Sequence, residues 1–586
     1  MSFKMLNKGD SVADKFAWLR LQVIGGEVEF QTPFGQRALT YADHTATGRS
    51  IHYIENYIMK DVLPFYGNTH TRDSYVGQKT TKMVNEATKY IKKCLGGGSK
   101  DAIIFCGSGA TAAVKRLQEV MAVSVPSTLR DKMLKCLLIE ERWVVFVGPY
   151  EHHSNLLSWR QSLVEVVEVG LDEQGLVDME SLRLELESYK FSNRPMLGSF
   201  SACSNVTGIY SNTRALARLL HEYGAFVCFD FAASGPYVEI DMRSGDIEGY
   251  DAIFLAPHKF LGGPGSPGIL LMSKALYHLK SCPPSTCGGG TVDYVNGFNE
   301  KDTLYNIDVE EREDAGTPMI IQKIRAAMAF WVKECLTYTV IEAREQVYIK
   351  TALKRLLPNP NLHVLGNTSV KRQPIISFLV YSTSTTTDPS SKGKPLHGSF
   401  VVTLLNDLFG IQARGGCACA GPYGHHLLGV SNDISLAYRN TIEKGYVGVK
   451  PGWTRVSFSY YMSKEEFDFI LEALEFMAMY AERFLRLYHF NWKTGNWAFR
   501  RKSLEENLIG VEFHKFLSLT GHKQTPEISS SEANKGLESE NKDAEVISKY
   551  TSYLEIAKRI ASSLPESTPQ RNVPKDIDNN IIYYRI

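Results

Sequence analysis

The sequence predicts an α/β fold, a mostly parallel sheet followed by a smaller α+β unit, and three observations predict it. Short apolar runs recur from Ala102 onward: AIIFC, WVVFV, MLGSFSA, AFVCFD, AIFLA and GILLM. Amphipathic stretches such as Thr213 to Tyr223 lie between them. The apolar runs are continuous, not alternating, as expected of strands covered by helices on both faces. In such sheets the ligand site lies at the strand ends.

Further along, a helical segment near Met319 to Leu336 is followed by longer helices and fewer strands. IISFLVY at 375–381, a helix near Phe400 to Phe409, and a strand and helix within Thr454 to Tyr480 predict the α+β unit. The expected divisions are an N-terminal segment 1–40, a large domain 41–335, a small domain 336–490 and a connecting segment 491–522. The polar run TPEISSSEANKGLESENKDAE buries too little to offset its ordering entropy, so 523–545 is expected to be a disordered linker. A helix and tail, 546–586, follow, and the apolar ending IIYYRI is expected to dock. STSTTTDPSSKGKP, 382–395, reads as a solvated loop.

A chain of 586 residues exceeds the usual ~150 per domain, so several units are expected. The 65 Lys and Arg balance 64 Asp and Glu, which argues against nucleic acid or an acidic membrane as partner. The ten cysteines form neither a secreted disulfide framework nor paired zinc knuckles, so no metal site is expected and reduced cytosol is the expected compartment. The N-terminus lacks the apolar core of a secretory signal, and no stretch approaches the ~20 apolar residues of a membrane span.

The chemistry starts at FVCFDFAAS and LAPHKFLGGPGSPGIL. Asp230 ends one apolar strand, and Lys259 follows the next, 29 residues later. A lysine partly withdrawn from water has a lowered pKa and condenses with an aldehyde. An aspartate at the adjacent strand end would hold a pyridine nitrogen protonated. A surface lysine beside a Gly-Pro turn, with a helix-capping aspartate, is the competing reading.

Around these residues the sequence resembles the class V aminotransferase family, in particular its cysteine desulfurases, over roughly residues 40 to 480. The resemblance implies fold type I with a large-domain sheet of the seven-stranded type, pyridoxal phosphate (PLP) as cofactor with Lys259 as its Schiff-base lysine, an amino acid as substrate, and a homodimer. YADHTATG near Asp43 is similar to the segment lining the family's site. FCGSGATAAV, 105–114, resembles its phosphate loop, with the N–H groups of Gly109, Ala110 and Thr111 at a helix N-terminus; a plain structural turn is the alternative. In GPYEHHSNLLSW the first histidine, His152, implies ring stacking and proton relay, with His153 and Asn155 supporting it and Asn155 beside the substrate. Asn205 in SNVTG implies a bond to the cofactor's phenolic oxygen, and His258 a phosphate contact. Thr291 in TCGGGTVDY implies a contact to the neighbouring subunit's phosphate. EREDAGTP, 311–318, resembles the stretch joining the domains, and Arg312 and Glu313 read as structural. Arg455 in WTRVSFSYY implies the substrate carboxylate site, which a guanidinium suits.

The segment QARGGCACAGPYGHH, 412–426, aligned on Arg414 and Pro422, resembles the cysteine loop of type II desulfurases and places Cys419 on the nucleophile. It is also similar to molybdenum cofactor sulfurases, which keeps Cys417 in play. Gly415, Gly416 and Gly421 imply mobility, and Arg414 a nearby positive charge. Metal-binding or inert thiols on a structural loop are the alternatives. Ala233, Ala256 and Ala112 depart from the family's usual glutamine, serine and glutamate. They leave open an aminotransferase, lyase or epimerase acting on another amino acid, and an inactive scaffold stays open as well. The expected activity is removal of sulfur from L-cysteine, leaving L-alanine and an enzyme persulfide for an acceptor protein.

Overall fold

Seven strands, six of them almost wholly buried, make the central sheet in the computed structural model, which describes residues 11–71, 73–381, 393–501, 535–566 and 571–586. In chain order they are β1 (Asp101–Cys106), β2 (Val144–Val147), β3 (Glu165–Glu168), β4 (Met196–Ser201), β5 (Phe226–Asp230), β6 (Ala252–Leu255) and β7 (Gly268–Ser273). Their order across the sheet is β1-β7-β6-β5-β4-β2-β3. Only β7 runs against its neighbours; β5 pairs parallel with β4 and β6. Residues such as Val145, Leu197, Phe229 and Ile253 are fully buried because helices cover both faces. The prediction of a mostly parallel α/β sheet holds.

Three helices matter for the site: α1 (Gly109–Val120), α2 (His153–Arg160) and α3 (Thr213–Glu222). α1 starts directly after β1 and α2 shortly after β2, so both N-termini lie at the carboxyl edge of the sheet. Then α4 (Ile320–Glu334) and α5 (Tyr338–Leu356) lead to a second, antiparallel sheet. Its strands are β8 (Leu362–Val364), β9 (Ile375–Val380), β10 (Arg414–Gly416) and β11 (Trp453–Ser457), ordered β8-β9-β11-β10. Around it pack α6 (Gly398–Phe409) and α8 (Lys464–Tyr480), while α7 (Gly421–Leu427) packs on the core of the large sheet through Tyr423 and Leu427.

The N-terminal segment bridges the two sheets. Thr40–Tyr41 pairs parallel with Ile411–Gln412, Asp43 forms a bridge with Ser457, and Gly48 N donates to His258 O at 2.9 Å. A Cβ at Gly48 would stand 2.1 Å from Phe260 O, so only glycine permits that approach.

The C-terminal segment docks, as its apolar ending predicts. Helix α9 (Lys535–Ser563) stacks Tyr550 on Phe469 of α8 with centroids 3.9 Å apart, and Tyr553 Oη accepts from Ala38 N at 3.1 Å. Ile581, Ile582, Tyr584 and Ile586 are buried in the same core, where Leu396 forms a bridge with Arg585. Two expectations change here. Residues 535–545 belong to α9 and not to a linker, since one helix runs on from Lys535 into the docked half, where Lys549 pairs with Glu545 at 3.0 Å. Part of the connecting segment forms a hairpin, Tyr488–Phe490 with Trp497–Phe499, on the second core. The remainder of both segments, 502–534, and most of the solvated loop, 382–392, lie outside the described residues.

Candidate active site

The cavity at the carboxyl edge of β1, β4, β5 and β6 has a volume of about 710 Å³ and is closed on its far side by β10 and β11. Lys259, Asp230, His152, Asn205, Gly109, Ala110, Thr111, His258, Cys419 and Arg455 all line it. Residues from Gly109 to Arg455 thus converge, although most are hundreds of positions apart.

At one end, Lys259 closes the short 3-10 turn Pro257–Lys259 that follows β6. Burial, opposed by Asp230 and assisted by Arg455 and Arg414, brings its amine down to about 8. Asp230 is the last residue of β5, and its Oδ1 accepts from Ala232 N at 2.8 Å. Burial raises this carboxyl above its ordinary value. A cation in the cavity would offset that cost.

Helix α1 begins at Gly109, which has φ +58°, and no side chain caps it. The first amides of a helix lack intrahelical acceptors and favour an anion. A Cβ at Gly109 would stand 3.5 Å from His258 Nε2, so that imidazole faces the uncapped turn across a short gap. Thr47 Oγ1 lies 3.1 Å from His258 Nδ1 and fixes the ring. Burial lowers His258 to about 4, which keeps it neutral.

His152 is the N-cap of α2, and its Nδ1 accepts from Ser154 N at 3.1 Å. Burial first, then Lys259, lowers its pKa to about 3. A neutral ring with its Nδ1 occupied leaves Nε2 as the protonated nitrogen. Ser154 Oγ also lies 2.6 Å from Thr111 Oγ1, linking His152 to the start of α1. The sequence reading missed Ser154, and only its place in the first turn of α2 could have suggested it.

One expected site residue faces elsewhere. Asn155 is wholly buried: Nδ2 donates to Glu151 Oε2 at 2.7 Å and to Ser199 O at 3.1 Å, while Oδ1 accepts from Trp159 Nε1 at 3.0 Å. With its amide consumed there, Asn155 supports the sheet and does not line the cavity. It holds Glu151, which also accepts from Ser201 N and Oγ and which burial raises to about 7. Thr291, expected to reach a neighbouring subunit's site and not its own, donates from Oγ1 to Gly288 O at 2.8 Å.

Arg312 and Glu313 are structural, as expected. Arg312 donates to Tyr277 Oη and Asn306 O, and Glu313 accepts from Arg116, Tyr277 and Ser285.

At the other end, Arg414 on β10 and Arg455 on β11 are directly opposed, so their side chains share one face. Arg455 is 2% exposed and donates to Asp43 Oδ1 at 2.7 Å and Asn205 O at 2.9 Å. Its Nε has no partner among the described residues. Arg414 Nη2 lies 3.8 Å from Cys419 Sγ. Cys417, two residues earlier, is absent from the lining and packs instead against the core of the large sheet.

The cysteine loop is pinned, against the mobility its glycines suggest. Asn205 Nδ2 donates to Ala418 O at 2.8 Å, His153 N to Cys419 O at 2.8 Å, and Gly421 N to His153 Nε2 at 2.9 Å. His153 therefore serves this loop, not His152 as expected.

The aminotransferase class-V family model matches residues 40–470. The chain belongs to that family. As a class-V protein it is a PLP-dependent enzyme. Similar class-V relatives include a probable cysteine desulfurase of Streptomyces coelicolor, 24% identical over 438 residues that cover 75% of this chain and 91% of that protein. A probable cysteine desulfurase 2 of Mycobacterium leprae is 27% identical over 381 residues, covering 64% and 83%. The solved cysteine desulfurase of Thermococcus onnurineus NA1 shares the fold with a TM-score of 0.57 and 22% identity, over 75% of this chain and 94% of that one.

The cavity fits the cofactor of its family. The uncapped start of α1 facing His258 suits a phosphate, the buried Asp230 carboxyl suits a pyridinium, and the partly desolvated Lys259 amine suits an aldehyde. Among the described residues no helix is long and apolar enough to cross a membrane.

Proposed function

We propose that the protein is a cysteine desulfurase that converts L-cysteine to L-alanine and retains the sulfur on Cys419. One observation carries this reading: a thiol beside a guanidinium, Cys419 with Arg414 at 3.8 Å, opens into the cavity that holds Lys259.

When bound, PLP would supply an electron sink for the substrate's α-carbon. Lys259 would hold its aldehyde, Asp230 its ring nitrogen, His152 its face and Asn205 its phenolic oxygen. Gly109, Ala110, Thr111 and His258 would hold its phosphate. Arg455, through Nε, and Arg414 would orient the substrate carboxylate. The Lys259 amine, unprotonated above about pH 8, would take the proton from the α-carbon. Cys419 as thiolate then attacks the substrate sulfur. The carbon–sulfur bond breaks with its electron pair passing to carbon, which is protonated and leaves as alanine, and a persulfide stays on Cys419.

The same reading places the enzyme in the cytosol as a homodimer that hands sulfur to an acceptor protein. The exposed apolar side chains of Val295, Phe298, Leu304 and Ile307, on and beside the hairpin Val292–Tyr294 with Leu304–Tyr305, support a subunit contact. Thr291 stands at the root of that hairpin, where the family places a contact to the neighbour's phosphate.

The test is to supply the PLP-loaded enzyme with L-cysteine and excess dithiothreitol, which reduces the Cys419 persulfide to the thiol and frees its outer sulfur as sulfide, and to assay alanine and sulfide. Equal yields are expected. Cys419→Ala should lose sulfur release by about 10²-fold or more while retaining cofactor binding, and Cys417→Ala should stay near wild type. Full sulfur release by Cys419→Ala would refute the assignment. A second reading, another amino acid as substrate, draws on Ala233 and Ala256, which line the cavity without offering a side-chain donor. It predicts that cysteine leaves the absorbance band unchanged while another amino acid shifts it.

A further inference from the structure

Ala418 and Cys419 both adopt left-handed backbone, with φ +51° and +58°. Neither is glycine, and in this region Cβ crowds the following carbonyl, so the conformation is strained. The conformation turns the Cys419 side chain into the cavity beside Arg414. Something outside the loop must hold it there.

The contacts to the loop identify the holder. His153 holds the loop just after the Cys419 side chain at two points: its backbone N–H meets the carbonyl of Cys419, and its imidazole Nε2 accepts from the amide of Gly421. Asn205 adds one bond to Ala418 O, and Ala420 N closes the turn onto Cys417 O at 3.1 Å. His153 is itself fixed as the first residue of α2. Because Gly421 N donates to Nε2, that nitrogen is unprotonated and the ring is neutral, in keeping with the lowering of its pKa by burial. The adjacent histidines thus divide their work, with His152 facing the cofactor end and His153 facing the sulfur end.

We infer that His153 is a positioning residue for the Cys419 thiol, acting through its imidazole on Gly421 N and through its backbone on Cys419 O. The inference rests on Cys419 as the sulfur acceptor in the reading above, but the loop geometry it describes can be measured without turnover.

The experiment compares wild type, His153→Ala and His153→Gln, whose amide oxygen can replace the lost acceptor. Alkylation by iodoacetamide is followed at Cys419 by peptide mass mapping, with exposed Cys136 as internal reference. Removal of the acceptor frees the loop, so His153→Ala should alter the Cys419 rate, with acceleration expected, by roughly fivefold to tenfold relative to Cys136, and His153→Gln should restore most of it. Alanine release from L-cysteine should fall by a similar factor in His153→Ala, with the PLP absorbance band and melting temperature unchanged. An unchanged Cys419 rate in His153→Ala overturns the inference. So does joint loss of cofactor binding and melting temperature, which would show that His153 serves the fold at large. If wild type releases no alanine while the labelling rates shift as expected, the positioning role stands and the desulfurase reading fails.

Discussion

The two ends of the cavity are built in different ways. At the cofactor end, Lys259, Asp230 and Gly109 sit where strands of one sheet stop, and the backbone itself aims them. At the sulfur end, Cys419 depends on side-chain bonds across 213 residues to Asn205 and 268 residues to His153. The cofactor end is therefore sensitive to loss of its reacting groups, and the sulfur end also to loss of groups that never touch substrate. A sheet edge is rigid; a strained loop needs anchors.

Substitution can break this contrast. The largest effect is expected from Lys259→Ala, which removes the group proposed both to anchor the cofactor and to accept the proton. Turnover should fall by about 10³-fold or more, measured as alanine formed from L-cysteine, while alkylation of Cys419 stays as in wild type. A changed labelling rate would mean that the two ends are coupled more tightly than their separate anchors imply.

Asp230→Asn should cost roughly tenfold to a hundredfold in kcat/KM, the equivalent of one charged hydrogen bond. The variant should still take up PLP, with the loss concentrated in kcat.

Capture of PLP by the apoprotein requires the free amine of Lys259, whose pKa burial brings to about 8. Below that pH the amine is protonated, so the capture rate should fall about tenfold per unit as pH drops and level off above it. A stopped-flow series from pH 6 to 9.5 measures this, and a flat profile would contradict the partly desolvated lysine.

The smallest effect on chemistry is expected away from both ends. Leu554 of α9 is buried against the second core, so Leu554→Ala should cost about 2–5 kcal/mol of stability in denaturant unfolding and leave kcat within twofold.

The same contrast explains what could be read in the sequence. Strand-end signals are local: AIFLAPHK and FVCFD carry the apolar run and the polar residue together, so Lys259 and Asp230 were legible and the sheet followed from its continuous runs. The cysteine loop misled, because its glycines suggest freedom and the bonds that remove it come from His153 and Asn205, far away in the chain. Asn155 was misplaced because the turn of α2 that carries it points its amide into Ser199 and Trp159, a direction that spacing alone does not reveal. The polar half of α9 is unfoldable by its own composition and is helical because the same helix continues into the docked half.

The most direct test of the account is to reduce the PLP-loaded protein with borohydride, digest it and locate the adduct by mass spectrometry. The account predicts a single phosphopyridoxyl group on Lys259. A colourless protein that takes up no PLP, or an adduct on any other residue, would contradict it.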